Sequence, residues 1–233
     1  MTKNVKSKGK TSSKTIFPID QIQKLRGNAE KACKADDRCP EGWSKSSIDP
    51  MELLSVFSSL WLKNGLILRA YQFREGGNGN GIVWAMPEEC GFPEPGSCPK
   101  SKGVFLEPPK PPGAIDHIME AIEGDGSPGS YLSASLFARE AAEFGALWHG
   151  AGWSTHEILG EEPSQLAQGK AGRSGLEDDD DHPDEWNWLE EKPEEWQPTI
   201  CEEGNLVTVV FCTFSGLERQ AIYRHLDTYK KGQ

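Results

Sequence analysis

Thirteen acidic residues and a single base, Lys192, lie between Leu176 and Glu203, so this stretch carries −12 in a chain of 233 residues whose net charge is −11. Carboxylates at that density cannot enter a core, because each would give up its hydration with no cation to replace it. The acidity belongs to one bounded segment ahead of the C-terminal residues, and the remainder of the chain is almost neutral. Trp186, Trp188 and Trp196 interrupt the acids, and large aromatic rings are unusual in a purely solvated tract. The other extreme of charge is the N-terminus, where residues 1–14 hold five lysines and no acid.

The length suits one domain with appendages, and a hydrophobic fraction of 36% is low enough to assign a good part of the chain to tail and loop. The expected organisation is a basic disordered tail over 1–16 and a single domain over 17–233, with a Pro-rich loop at 87–113 and an acidic insertion at 161–203. No apolar run approaches the roughly 18–20 residues of a membrane span, and the N-terminus has no apolar signal core. The six cysteines are too sparse for a disulfide scaffold. These features point to a cytoplasmic protein with free thiols. The negative charge argues against phosphate-backbone binding, which needs a basic face.

Ile22, Leu25, Ala29 and Ala32 recur at helical spacing behind Asp20, which predicts a helix over about 20–35 with Asp20 as its N-cap. Asp49-Pro50-Met51-Glu52 supplies a cap, a proline at the first helical position and a first-turn acid. The apolar face Leu53, Leu54, Phe57, Leu60 and Trp61 extends this second helix towards Asn64-Gly65. Leu66–Phe73 and Ile82–Met86, separated by a Gly/Asn-rich loop from Glu75 to Gly81, read as a β-hairpin. That loop lacks the lysine and following helix of a phosphate loop.

Eight prolines exclude regular structure from 87–113. Ile115, Ile118, Met119 and Ile122 mark a short amphipathic helix, and a longer one is expected from Tyr131 to Trp148. Leu206–Phe214 and Leu217–Tyr229 then form a closing hairpin about Ser215-Gly216. The fold class is α+β: an antiparallel sheet from two β-hairpins, with helices packed on one face.

Reactive side chains are densest in Trp148-His149-Gly150-Ala151-Gly152-Trp153-Ser154-Thr155-His156. At a helix C-terminus the macrodipole would favour a charged imidazole, making His149 and His156 candidate acid/base residues; helix capping and packing give the same pattern. In the last strand Tyr223, His225, Asp227 and Tyr229 alternate onto one side, opposite Ile222 and Leu226. Such a side lines a pocket or an interface, or decorates an edge against aggregation. Glu140 and Glu143 share a helix face, as paired-carboxylate catalysis needs, and a solvated face on which Arg139 pairs with Glu143 gives the same pattern and is the preferred reading. The Cys33/Cys39 and Cys90/Cys98 spacings exceed those of zinc knuckles, so no metal or cofactor is expected.

Two functions fit. The first is an intracellular binding or adaptor protein that uses the acidic segment, with Trp186, Trp188 and Trp196, together with Tyr223 and Tyr229, to contact another protein with a basic surface. The second is a small hydrolase-like enzyme centred on His149 and His156, with His225 and Asp227 across a pocket.

Overall fold

A computed structural model describes residues 12–34, 39–103, 106–147, 152–163, 186–216 and 220–232. Within them the elements run β1 (Ser12–Ile16), α1 (Ile19–Cys33), β2 (Gly42–Lys45), α2 (Pro50–Val56), β3 (Leu60–Leu62), β4 (Leu66–Glu75), β5 (Asn78–Pro87), β6 (Ile122–Gly124), α3 (Pro128–Ala142), β7 (His156–Ile158), β8 (Thr199–Glu203), β9 (Leu206–Ser215) and β10 (Ala221–Lys230). The class is α+β and every strand pairing is antiparallel. The two hairpins, however, head separate sheets. β4 and β5 are joined by β2, whereas β9 and β10 are joined by β8, β7 and β1.

Helix α1 buries Ile22, Arg26, Ala29 and Cys33, a single helical stripe that includes a charged residue. Pro18 occupies its N-cap position, so Asp20 serves as a first-turn acid and not as the cap. Helix α2 starts as its sequence dictates, with the Asp49 carboxylate accepting the Met51 N–H at 2.9 Å. It ends at Val56, and Leu60–Leu62 becomes a strand paired with β6. Leu53, Leu54, Phe57 and Leu60 are all buried; their periodicity marked burial, which continued beyond the helix.

The first hairpin is longer than its apolar runs. Its strands meet at Gly76-Gly77, both at positive φ, and Asn78–Gly81 pairs with β4 in place of forming a loop. Gly81 is required by a close approach: its N–H donates to the Phe144 carbonyl at 2.7 Å, and a Cβ would collide with that carbonyl. The Pro-rich strap is anchored to this sheet, where Tyr71 stacks on Phe92 at 4.5 Å and its hydroxyl donates to the Pro93 carbonyl at 2.9 Å.

Helix α3 packs against β5 of one sheet and against β8 and β9 of the other. Every residue from Ser130 to Phe137 is buried, as befits a helix covered nearly all round. Its start is set by Ser127 and Pro128, earlier than Tyr131, with the Ser127 hydroxyl accepting the Ser130 N–H. Its last residue is Ala142, short of Trp148, and the expected helix over Ile115–Ile122 is a 3-10 turn, Ile118–Ala121, leading into β6.

Two appendages contribute to the second sheet. Ser12–Ile16, at the end of the expected tail, forms β1, and Thr199–Glu203, at the end of the expected insertion, forms β8 with Ile200 fully buried. Residues 1–11, Trp148, His149 and the Asp178–Asp181 run lie outside the described residues.

Candidate functional site

Strand β9 presents Val207, Val209, Phe211 and Thr213 to the helices, and the register of β10 sets Tyr229, Asp227, His225 and Tyr223 beside them. Period-2 alternation thus brings His225 and Asp227 to the helix-facing side at the sheet edge. Strand β7, paired to the far end of β9, delivers His156 next to Ser215. His156 Nδ1 lies 2.8 Å from Thr213 Oγ1, which lies 2.9 Å from His225 Nε2. The His225 ring stacks on Phe211 at 4.7 Å. Arg139 of α3 closes the chain, with two N–H groups on the Asp227 carboxylate at 2.6 and 3.1 Å and Nη2 at 3.5 Å from His225 Nδ1.

The proton positions follow from this order. Burial, then the Arg139 charge, pushes His225 down to about 4, and burial lowers His156, so both rings are neutral near pH 7. A guanidinium only donates, so His225 Nδ1 facing it is unprotonated and the ring proton resides on Nε2. Nε2–H donates to Thr213, whose single hydroxyl proton then points to His156 Nδ1. That leaves the His156 proton on Nε2. Arg139 thus donates both to Asp227 and to His225, and from Arg139 through His225 and Thr213 to His156 the hydrogen bonds run in one direction, leaving the His156 Nε2–H as the terminal donor.

Trp153 occupies the centre. Its ring lies under the Arg26 guanidinium at 4.5 Å, with that of Arg139 at 5.7 Å, and its indole N–H donates to Glu140 Oε1 at 2.8 Å. The Trp153 carbonyl accepts from Arg26 Nη2 at 2.5 Å, and Arg26 Nε is 3.4 Å from Glu140. Glu140 is 4% exposed, and burial outweighs these partners to raise its carboxyl to about 6. Glu143 accepts the backbone N–H groups of Gly152, Trp153 and Ser154. The two carboxylates three residues apart thus hold one tryptophan, Glu140 by its indole and Glu143 by its backbone. Arg139 pairs with Asp227 rather than with Glu143.

Of the sequence-derived catalytic candidates, His156, His225 and Asp227 fall in one connected cluster, and His149 lies outside the described residues. Because α3 stops at Ala142, its dipole does not act on this segment as expected; desolvation lowers the histidines instead. Thr213 and Arg26 were not legible as site residues, whereas Glu140, Arg139 and Trp153 were singled out in the sequence but not with these partners. Arg26, at the Ile22/Ala29 stripe position, was the available signal. Thr213 is 0% exposed, so a substrate carbonyl has no access to its hydroxyl. A groove along α1, lined by Lys24, Gly27, Asn28, Glu30, Lys31 and Lys34, shares no residue with the histidine chain. All six cysteines are free, and the described residues contain no group of three or more His, Cys, Asp or Glu placed to hold a metal ion.

The binding candidates divide. Tyr229 is packed inward, its hydroxyl 2.9 Å from that of Ser135 and its ring 5.6 Å from Tyr131. Tyr223 is 45% exposed and rests 5.0 Å from His156. Trp186, Trp188 and Trp196 are half-buried. Trp186 meets Phe214 of β9 edge-on at 6.2 Å, and Trp188 meets Trp196 at 6.2 Å. Phe17 N–H to the Pro198 carbonyl at 2.9 Å and Lys14 to Glu195 at 3.8 Å fasten the segment beside β1. Between Trp188 and Glu190, Leu189 is 92% exposed.

Among the described residues no helix is long and apolar enough to cross a membrane. No protein-family model matches the chain, and comparison with curated proteins and with solved structures finds no match.

Proposed function

We propose that this chain is an intracellular protein-binding module whose contact element is the acidic knuckle around residues 186–196, directed at a partner with a basic surface. The observation that carries the reading is Leu189: a leucine 92% exposed, on a segment where Trp186 rests on Phe214 and Trp188 on Trp196. Glu190, Glu191 and Glu194 follow it in sequence and make no ion pair among the described residues. A projecting aliphatic side chain followed by unpaired carboxylates suits a contact in which apolar burial supplies affinity and charge supplies steering. The tryptophans then act as the scaffold of the knuckle, and Leu189 as its anchor.

Point substitutions test this better than deletion, which would also uncover Phe214. Affinity purification is performed with the native chain and with a Leu189→Ser, Glu190→Gln, Glu191→Gln variant. A basic protein retained by the first, released by added salt and lost from the second supports the reading, since exposed charges are screened beyond about 8 Å at physiological ionic strength. An unchanged set of captured proteins refutes it. The hydrolase-like alternative draws support from the convergence of His156, His225 and Asp227, but the buried Thr213 hydroxyl and the donor polarity of His156 favour a structural clamp.

A further inference from the structure

The outer edge of β10 has no neighbouring strand among the described residues, and its hydrogen-bonding groups can be assigned from the register. Lys231 N–H donates to the Asn205 carbonyl at 3.0 Å, in the same register that pairs Tyr229 with Val207, Asp227 with Val209 and His225 with Phe211. In an antiparallel ladder the hydrogen-bonded pairs alternate, so Tyr223, His225, Asp227 and Tyr229 spend their backbone groups on β9. Ile222, Arg224, Leu226, Thr228 and Lys230 therefore aim theirs away from the sheet. This ten-residue strand contains no proline, and its side chains include two of the most exposed large hydrophobics, Leu226 at 57% and Tyr223 at 45%. Long edges of this kind are templates for a further strand.

We propose that the occupant is a second copy of this chain, with β10 pairing antiparallel to β10 of the partner copy about a two-fold axis at Leu226. The strand is self-complementary in that register. On the outer face Leu226 meets Leu226 of the second copy, Arg224 meets Thr228, and Ile222 meets Lys230. On the helix-facing side His225 meets Asp227 and Tyr223 meets Tyr229. No like charges are opposed, and apolar, aromatic and opposite-polarity pairs are the favourable ones. A slip of the two-fold axis to Asp227 would oppose the two Asp227 carboxylates and set Arg224 against Lys230, and a slip to Arg224 would oppose the two arginines. The chosen register uses every outward-facing backbone group of both strands, and a two-fold axis makes the contact closed. It also extends the outer-face row Ile16–Thr199–Val210–Leu226 into its counterpart across the axis. Because Arg139 and Thr213 already engage Asp227 and His225, the clamp that seats β10 on α3 holds the edge in pairing geometry.

The test is the mass of the full chain in solution, by sedimentation or light scattering across about 1–100 µM, with three variants. Leu226→Lys opposes two ammonium groups on the axis. Leu226→Pro removes an outward N–H without touching the β9 ladder, the arrangement in which an edge strand tolerates proline. Leu226→Cys places two thiols on residues whose Cα atoms would be about 5.5 Å apart, within disulfide reach. The expected result is a concentration-dependent dimer of the native chain, monomer for the lysine and proline variants with circular dichroism spectra like the native one, and a covalent dimer for oxidised Leu226→Cys beyond that of the oxidised native chain. A native chain monomeric throughout overturns the proposal, as does a dimer that survives both Leu226→Lys and Leu226→Pro. Self-cross-linking of Thr228→Cys in place of Leu226→Cys overturns the register.

Discussion

Replacing Glu140 by glutamine is expected to stabilise the protein at neutral pH by up to about 2 kcal/mol, although Glu140 belongs to a buried ion pair. Its carboxyl is raised from an ordinary 4.5 to about 6. The native state therefore favours the neutral form, relative to the unfolded chain, by about 2 kcal/mol. Below pH 4.5 the group is neutral in both states. As pH rises through 6 it ionises at a cost borne by the native state alone, so this contribution is present at low pH and lost between about 4.5 and 6. Glutamine keeps the neutral form at every pH, and its carbonyl can still accept the Trp153 indole N–H. Arg26 is not stranded, since it retains the Trp153 carbonyl at 2.5 Å, the Trp153 ring at 4.5 Å and Glu30 at 3.4 Å.

The assay is urea denaturation of the native chain and Glu140→Gln at pH 4.5 and pH 7.5, with equal m-values as the check that only stability has changed. The difference between the proteins should be near zero at the lower pH and reach its full value at the higher. A loss of about 3–5 kcal/mol at pH 7.5, the ordinary result of removing one partner from a buried pair, would refute the reasoning. So would a difference independent of pH. Glu140→Leu serves as the contrast: it deletes the acceptor too, leaves the indole N–H unpaired and costs about 1–3 kcal/mol.

Three further outcomes are expected. His225, depressed from 6.5 to about 4, contributes stability that is present above pH 6.5 and lost as pH falls towards 4, about 2 kcal/mol once its partial exposure is allowed for; His225→Gln should flatten that acid limb, and a ring titrating near 6.5 by NMR would count against it. Thr213→Val leaves two imidazole nitrogens without their shared partner and should lower the unfolding free energy by about 2–3 kcal/mol, measured by denaturant titration; a neutral effect would mean the chain of hydrogen bonds is not formed. Cys33, 8% exposed with its thiol pushed up to about 12 by burial and the charges of Glu140 and Glu30, should be alkylated far more slowly than Cys39 under native conditions and at a similar rate after unfolding.

Local chemistry determined much of the framework. Asp49-Pro50 capped α2, and period-2 alternation put Tyr223, His225, Asp227 and Tyr229 on one side of the last strand, opposite Ile222 and Leu226. These depend on neighbours within a few residues, and such interactions can be read in order along a chain. What lay beyond the sequence was decided by packing between distant segments. Leu60 and Trp61 carry a helical period yet lie in β3, because the partner that claims them, Ile122–Gly124, is about 60 residues away. Gly79 and Gly81 suggested a loose tip, whereas a side chain there would collide with the Phe73 carbonyl of β4 at Gly79 and with the Phe144 carbonyl just past α3 at Gly81. Arg26, Glu140 and Trp153 come from three separate elements, so no spacing could announce them. The acidic stretch shows both regimes: its charge was legible from composition alone, while only the tertiary structure set Trp186 against Phe214, paired Trp188 with Trp196 and left Leu189 in solvent, because burying a ring depends on a matching apolar surface that another part of the chain must supply.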